Sequence, residues 1–543
     1  MTALDPTADS AAPTGDPTVD PALNGGPSGT GRPTVTAAVR ELLADVAARY
    51  EGTVWQQRAL AAGDRLTAPL RVAVAGAVSA GKSTVVNALV GARIAATDAG
   101  ECTRVVTEYA YAPAPRAWAV LPEGDRRGGH VPVELRPDPQ AGDRVLVDLG
   151  ELPAADVLRL HVELPLATLR ALTVIDTPGT RSTSRRLGER SQRYLTADDA
   201  DRTPPPDAVV YVMRRLHAAD VAFLEAFRDP SARAVAPVNA LAVLTRADEL
   251  GGGAEDAMDL AGEVAAAYGR DHRLRRLVQV VLPLAGLVAE AAGTLAVAEQ
   301  ARLAQLACAP EPVTGEMLLS AERFVAARRY GPLDAAARAA LLDRLGLVGL
   351  RWALAELRGE RAPAAGPSEG AAALPLEGGA ARDRLCAALA RRSGLDAVRS
   401  VLDGQVAGRA EVVKADAALR LLAAAAAEHP RVRAEDLHAR AERLRLSVHD
   451  FAELDLLNDL RCGRVELPSD VREDAERLLG ARGARAHERL GLGEDAGAEA
   501  VADAARASHE RWVALGADLL ASREEQRAAG VLQRTCEGLL AAG

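Results

Sequence analysis

Gly76-Ala77-Val78-Ser79-Ala80-Gly81-Lys82-Ser83-Thr84 fits the pattern GxxxxGK[ST], and its surroundings give that pattern a use. The apolar run Leu70–Ala75 precedes it, and Val85, Val86, Ala88 and Leu89 open a helix behind it. Gly76 and Gly81 allow the backbone N–H groups of Ser79, Ala80 and their neighbours to wrap a phosphate chain. The start of the helix at Thr84 adds its positive dipole end. Lys82 supplies a compact charge for β- and γ-phosphates, and Ser83 a hydroxyl for Mg²⁺. Only two of the 65 basic residues are lysines, Lys82 and Lys414. Where this chain needs only positive charge it uses arginine, so a lysine inside this loop is pointed. Lys414 itself reads as a helix-surface salt-bridge partner.

Asp176-Thr177-Pro178-Gly179 closes a second apolar run, Leu172–Ile175. An Asp at a strand end beside such a loop can hold Mg²⁺ through water, and the Gly179 N–H can reach a γ-phosphate. Thr245-Arg246-Ala247-Asp248 ends a further run, Leu241–Leu244. The Asp248 carboxylate can accept from both N1–H and N2–H₂ of guanine, donors that adenine lacks. The substrate expected is therefore GTP, with the long stem of Arg246 over the base.

The elements that must position these residues are α/β in pattern. Residues 69–300 alternate β-rich runs, among them Ala208–Val212, with helical ones, which predicts a doubly wound sheet. Residues 105–163 read as an antiparallel extension of it. Residues 1–33 hold almost no large apolar side chains and read as a disordered tail. Val39, Leu42, Leu43, Val46 and Tyr50 mark a helix from Thr36 to about Leu60, with a break at Gly52. From 301 to 543 the Ala/Leu/Arg/Glu segments read as an all-α bundle or stalk, interrupted by a flexible Pro/Gly loop at 359–380.

Composition narrows the function. Aromatics are 3% of 543 residues, so the core is built from Ala, Leu and Val. The net charge of −10 opposes a general nucleic-acid binder, and none is expected as partner. Five cysteines without a CxxC pair suit a reducing, cytoplasmic setting. No HExxH or similar spacing suggests zinc. The N-terminal residues show no signal-peptide pattern, and Val278–Ala298 reads as strand, turn and helix rather than a membrane span.

Taken in order, these motifs resemble TRAFAC-class GTPases. Thr97-Asp98-Ala99-Gly100-Glu101-Cys102-Thr103-Arg104-Val105-Val106-Thr107-Glu108 is similar to the first switch of bacterial dynamin-like proteins. Val212 to Phe227 and Arg409 to Lys414 add to a likeness with the isoniazid-inducible dynamin-like GTPases of actinobacteria. The resemblance spans residues 36–543 and is strongest over 69–290. It implies a dynamin-type GTPase domain at 67–300, with an N-terminal helix at 34–66 packed on the C-terminal helices. It further implies that Thr103 binds Mg²⁺ and positions the attacking water. Ser79 matches the dynamin P-loop serine, and Ala285, within Pro283-Leu284-Ala285-Gly286, falls in a guanine-contacting loop.

Dynamins carry Gln before the P-loop serine, whereas this chain has Val78, which cannot hydrogen-bond. Slow basal hydrolysis is expected, with help from head-to-head self-association, a paralogous partner, or K⁺ or Na⁺ near Ser79. The leading reading is a GTPase that assembles on the inner face of the cell membrane. The rivals are a slow or inactive GTP-binding partner of a paralogue, and a soluble regulatory GTPase acting on RNA or ribosomes.

Overall fold

The computed structural model describes residues 35–95, 105–122, 129–138, 144–178, 206–227, 239–326, 333–359, 379–428 and 434–542. Eleven strands occur among them. They are β1 (Leu70–Gly76), β2 (Val106–Tyr111), β3 (Arg116–Val120), β4 (His130–Pro132), β5 (Glu134–Pro137) and β6 (Val145–Asp148). β7 (Arg159–Leu164), β8 (Leu172–Asp176), β9 (Ala208–Met213), β10 (Ala240–Thr245) and β11 (Val281–Leu284) follow. Nine form one sheet in the order β11-β10-β9-β1-β8-β2-β7-β3-β4, and β5 pairs with β6 apart from it.

The first five strands in that order are mutually parallel, so their C-terminal ends share one edge. β9 and β10 are buried at every position, as expected of apolar strands covered on both faces. β2 joins antiparallel to β8, and β3 and β4 continue antiparallel. The expected antiparallel extension is modified at two places: β2 and β7 run parallel, and β5 and β6 pair apart from the sheet.

Val72, Val74, Val174, Val210 and Val212 point to one face, where the helix Lys82–Val90 packs through Val86 and Leu89. Ala73, Ala75, Ile175, Val209 and Tyr211 point to the other, against Val221 and Leu224 of Ala218–Phe227 and Ala265 of Ala257–Arg270. The domain is doubly wound on a mixed sheet. Its core does not stop at residue 300, where the sequence reading placed the boundary. Leu303, Phe324, Leu345, Leu354, Leu389, Val398 and Val406 belong to the same cluster as the sheet's first face. Strand content ends with β11 at Leu284, but burial continues past 300.

After β11 the described residues contain no strand. The helix expected at the N-terminus is two, Val35–Arg49 and Val54–Arg65, broken where Gly52 takes φ +75°. Val39, Leu42, Val46 and Trp55 bury against Leu419 and Leu422 of Ala410–Glu428 and Leu437 of Ala434–Ser447. A second helical cluster joins Leu457, Leu460, Leu478, Trp512, Leu532 and Cys536.

Lys414 is not a surface salt-bridge residue. It is buried, and its Nζ donates to the Ala68 carbonyl oxygen at 2.6 Å, just ahead of β1. Asp207, just ahead of β9, accepts from Arg65 Nη2 at 2.7 Å and Arg71 N at 2.9 Å. The tail 1–33 and most of the loop 359–380 lie outside the described residues.

Candidate nucleotide-binding site

The loop after β1 begins with a close approach. A Cβ on Gly76, whose φ is +151°, would lie 2.2 Å from the Val212 carbonyl oxygen, so only glycine lets β1 run this near β9. Ser79 takes φ +63° and Gly81 φ +91°. A serine in the left-handed region is uncommon, and such backbone reversals turn successive N–H groups toward one side. The Ala80 N–H donates to Ala77 O at 3.2 Å and closes the turn. Gly81 is the N-cap of the helix Lys82–Val90 and gives it no side-chain cap, so the first N–H groups of Lys82, Ser83 and Thr84 are left for a ligand. Val78 is 50% exposed on this loop and offers no hydrogen-bonding group.

The register of β1 and β8 pairs Val74 with Asp176 and brings the DTP turn beside the loop. Thr177 fastens it, its Oγ1 donating to Val74 O at 2.8 Å. Asp176 Oδ1 is sealed from solvent and has no hydrogen-bond partner among the described residues. Burial pushes this carboxyl up to about 6, against the opposing pull of the Lys82 charge. Burial lowers the Lys82 ammonium in turn, while Asp176 acts to raise it. A buried carboxylate oxygen without a donor among the described residues, set against the Lys82 charge, suits a hard cation. The residues fit Mg²⁺, with Asp176 and the Ser83 hydroxyl to hold it and phosphate oxygens to complete the shell. Among the described residues no cluster of three His, Cys, Asp or Glu side chains forms an all-protein metal cage.

Thr245 is buried, and its hydroxyl faces the Ala80 carbonyl oxygen at 2.6 Å and the Met213 carbonyl oxygen at 3.2 Å. The geometry makes it a brace between strand ends, with the hydroxyl turned toward protein. Arg246 has φ +55°, and its Nη1 donates to Glu249 Oε1 at 3.0 Å. Asp248 sits in the following turn, Ala247–Gly252, where burial pushes its carboxyl up.

Ala285 stands apart from these groups. It has no exposed surface, and its N–H is given to Ser393 O at 2.9 Å. Its neighbour Gly286 does approach the P-loop helix, a Cβ there falling 3.5 Å from the Thr84 methyl. Thr103 and Gly179 lie outside the described residues.

Sequence reasoning missed Asn87. Its Oδ1 accepts from Ile94 N at 3.1 Å and Ala95 N at 2.8 Å, fixing the chain as it leaves the P-loop helix. It also missed Ser393 and Gly394, whose docking on β11 is invisible locally. A Cβ on Gly394 would lie 2.4 Å from Pro283 O. A buried Asn on an otherwise apolar helix face was the available signal for the first; the second had none.

A phosphate-cradling turn at the end of a central parallel strand, with a buried aspartate on the next strand, defines a P-loop nucleotide-binding domain. Residues 72–213 match the dynamin family. Isoniazid-induced protein IniC of Mycobacterium tuberculosis is 36% identical over 482 residues, which cover 88% of this chain and 91% of IniC. The chain belongs to the dynamin family. Isoniazid-induced protein IniA of the same species is 34% identical over 166 residues, 29% of this chain and 23% of IniA. Solved chains of an oligomerised bacterial dynamin pair align at 12% and 13% identity over 94% of this chain and 79% of theirs, with a TM-score of 0.28. Dynamin-type GTPases use GTP and Mg²⁺.

Proposed function

We propose that this chain binds GTP and hydrolyses it to GDP and phosphate, using the cycle to drive assembly of its heads on the inner face of the cell membrane. The observation that carries the reading is the buried Asp176 Oδ1, without a hydrogen-bond partner among the described residues, set against the charge of Lys82 in the P-loop. Backbone N–H groups of 79–84 hold the phosphates, and Lys82 balances the charge that develops between β and γ. Asp248 selects guanine by accepting its two N–H donors, with Arg246 beside it. Ser83, Thr103 and Asp176 hold Mg²⁺, which when bound supplies charge neutralisation at the phosphates. Thr103 orients the attacking water, and the Gly179 N–H senses the γ-phosphate.

Val78 favours a second reading, a slow GTP-binding partner of a paralogous dynamin-like protein. It stands just before the P-loop serine, where dynamins carry Gln, and its exposed isopropyl group offers no hydrogen bond. In the first reading that missing group comes from a second head or from K⁺ near Ser79. A donor or cation supplied in trans is worth roughly 10³- to 10⁵-fold in rate.

The test is phosphate release from GTP at several protein concentrations, with and without liposomes, and in K⁺ against a bulky monovalent cation. Specific activity that rises with concentration and falls in Lys82→Ala supports the first reading. Binding of GTP with no turnover under any condition supports the second, and Lys82→Ala binding GTP as tightly as wild type would refute both.

A further inference from the structure

Ala73, Ile175, Glu108, His161, Trp118 and Pro132 stand opposite one another in turn across β1, β8, β2, β7, β3 and β4, so one row of side chains shares the sheet's second face. Ala73 and Ile175 belong to the apolar core on that face. From Glu108 onward the row changes character. Glu108 is buried, and both of its carboxylate oxygens are engaged. Arg71 Nη2 donates to Oε1 at 2.9 Å, Arg159 Nη1 lies 3.7 Å from the same oxygen, and His161 Nδ1 meets Oε2 at 3.3 Å. The last contact fixes the His161 ring, which stacks on Trp118 with centroids 4.3 Å apart and planes at 34°.

These residues line a cavity of about 610 Å³, a size typical of small-molecule sites. Val120 and Pro132 add apolar wall, and Arg116 and His130 are exposed members of the lining. Hydrogen bonding in this lining is one-sided. Arg116 gives Nε and Nη2 to Glu163 Oε2, and its Nη1 has no partner among the described residues. Neither has the Trp118 indole N–H. Both carboxylates beside them, Glu108 and Glu163, are already held by cations. Three guanidinium groups, Arg71, Arg116 and Arg159, face these two carboxylates. The cluster therefore has positive charge and N–H donors to spare.

We propose that this cavity binds a planar aromatic acid, its ring laid against the Trp118–His161 pair and its carboxylate taken by Arg116. A flat ring gains the offset or tilted stacking that an aliphatic body of equal size does not. A guanidinium matches a carboxylate in shape and charge, and Glu163 occupies only the Nε side of this one. An added peptide strand fits less well. β4, the edge strand of the sheet, is three residues long and ends on Pro132, which has no N–H to give, so it offers few ladder bonds. None of the lining residues belongs to the P-loop, the DTPG turn or the Asp248 turn, and the inference does not depend on the GTPase reading.

The experiment is calorimetric titration of the full chain with 2-naphthoate and with its neutral amide, 2-naphthamide, with and without excess GTP. Wild type should bind naphthoate saturably, one to one, and the amide about tenfold more weakly. Trp118→Ala should weaken naphthoate about tenfold, while Trp118→Phe, which keeps a ring, should stay within about threefold of wild type. Arg116→Gln alters an exposed ion pair that contributes little to folding. It should melt cooperatively near wild type and bind naphthoate no better than the amide. Failure of wild type to bind naphthoate at millimolar concentration overturns the proposal, as does undiminished binding in Trp118→Ala. Equal wild-type affinity for acid and amide overturns it too, and so does displacement of naphthoate by GTP, which would place the probe in the nucleotide site. Because naphthoate binding is read directly, absent GTP turnover counts against the GTPase reading alone.

Discussion

The Thr245 hydroxyl meets the Ala80 carbonyl oxygen at 2.6 Å, tying the end of β10 to the loop after β1. The two residues are far apart in sequence, and this buried hydrogen bond sets the spacing between the turn that carries Asp248 and the loop that carries Lys82. A Cβ on Gly81 would lie 3.7 Å from the Thr245 side chain, an ordinary van der Waals distance, so the loop passes directly beside the end of β10.

Thr245→Val keeps the shape and removes the donor, leaving the Ala80 carbonyl buried and unsatisfied. Such a loss costs roughly 1–3 kcal/mol. We expect GTP to bind about tenfold more weakly in a fluorescent-nucleotide titration, with Thr245→Ser close to wild type. Equal affinity in the valine variant would show that the brace does not shape the loop.

Asp248→Asn should erode base selectivity more than overall binding. Guanine brings two N–H donors, and asparagine answers with one acceptor and one competing donor. Two charge-assisted hydrogen bonds are worth roughly 1.5–3 kcal/mol each, so the GTP:ATP affinity ratio should fall by at least about tenfold. An unchanged ratio would remove Asp248 from base recognition.

Asp176 links the nucleotide-binding loop to pH. Its carboxyl is pushed up to about 6 when folded, against an ordinary value of about 3.9 when unfolded. The folded state therefore binds this proton more tightly. Its contribution to stability is present in full below about pH 4 and is lost as pH rises through 6. For nucleotide-free protein the effect amounts to at most about 3 kcal/mol. Melting temperatures between pH 4 and 7 should fall less steeply with rising pH in Asp176→Asn than in wild type. Parallel curves would show that Asp176 does not titrate in this range.

Glu108 has the opposite sign. Burial pushes its carboxyl up, but His161, Arg71 and Arg159 together hold it well below the usual carboxylate range. Its stabilisation is present above the unfolded value and is lost as pH falls. Glu108→Gln strips the charge from a buried cluster and should cost up to about 3–5 kcal/mol in urea unfolding at pH 7. The gap from wild type should keep nearly its full size down to about pH 4 and narrow below it. A difference that is constant with pH would mean that shape, not charge, holds β2 to β7.

Much of this molecule can be read from local sequence. The runs at Leu70, Leu172, Ala208 and Leu241 are strands because unbroken apolar residues must be covered on both faces, and the sheet covers them so. Gly76, Gly81, Lys82 and Ser83 announce a phosphate loop because each residue type has a separate physical task there. The break at Gly52 follows from its own backbone freedom. Such features depend on neighbours a few residues away, and periodicity or spacing records them directly.

Only the tertiary structure decided the rest. Thr245 reads as a nucleotide contact in a tetrapeptide, yet its hydroxyl faces Ala80 because β9 lies between β1 and β10. Lys414 reads as a solvated helix residue, yet it is buried against Ala68 because the helix Ala410–Glu428 lies on the N-terminal helices. The end of strand content at 300 reads as a domain border, yet the core runs on to Val406. Each of these depends on which surface covers another across many tens of residues. A sequence pattern states that a face is apolar and must be buried; it carries no record of its partner, and the partner is settled only when the whole chain packs.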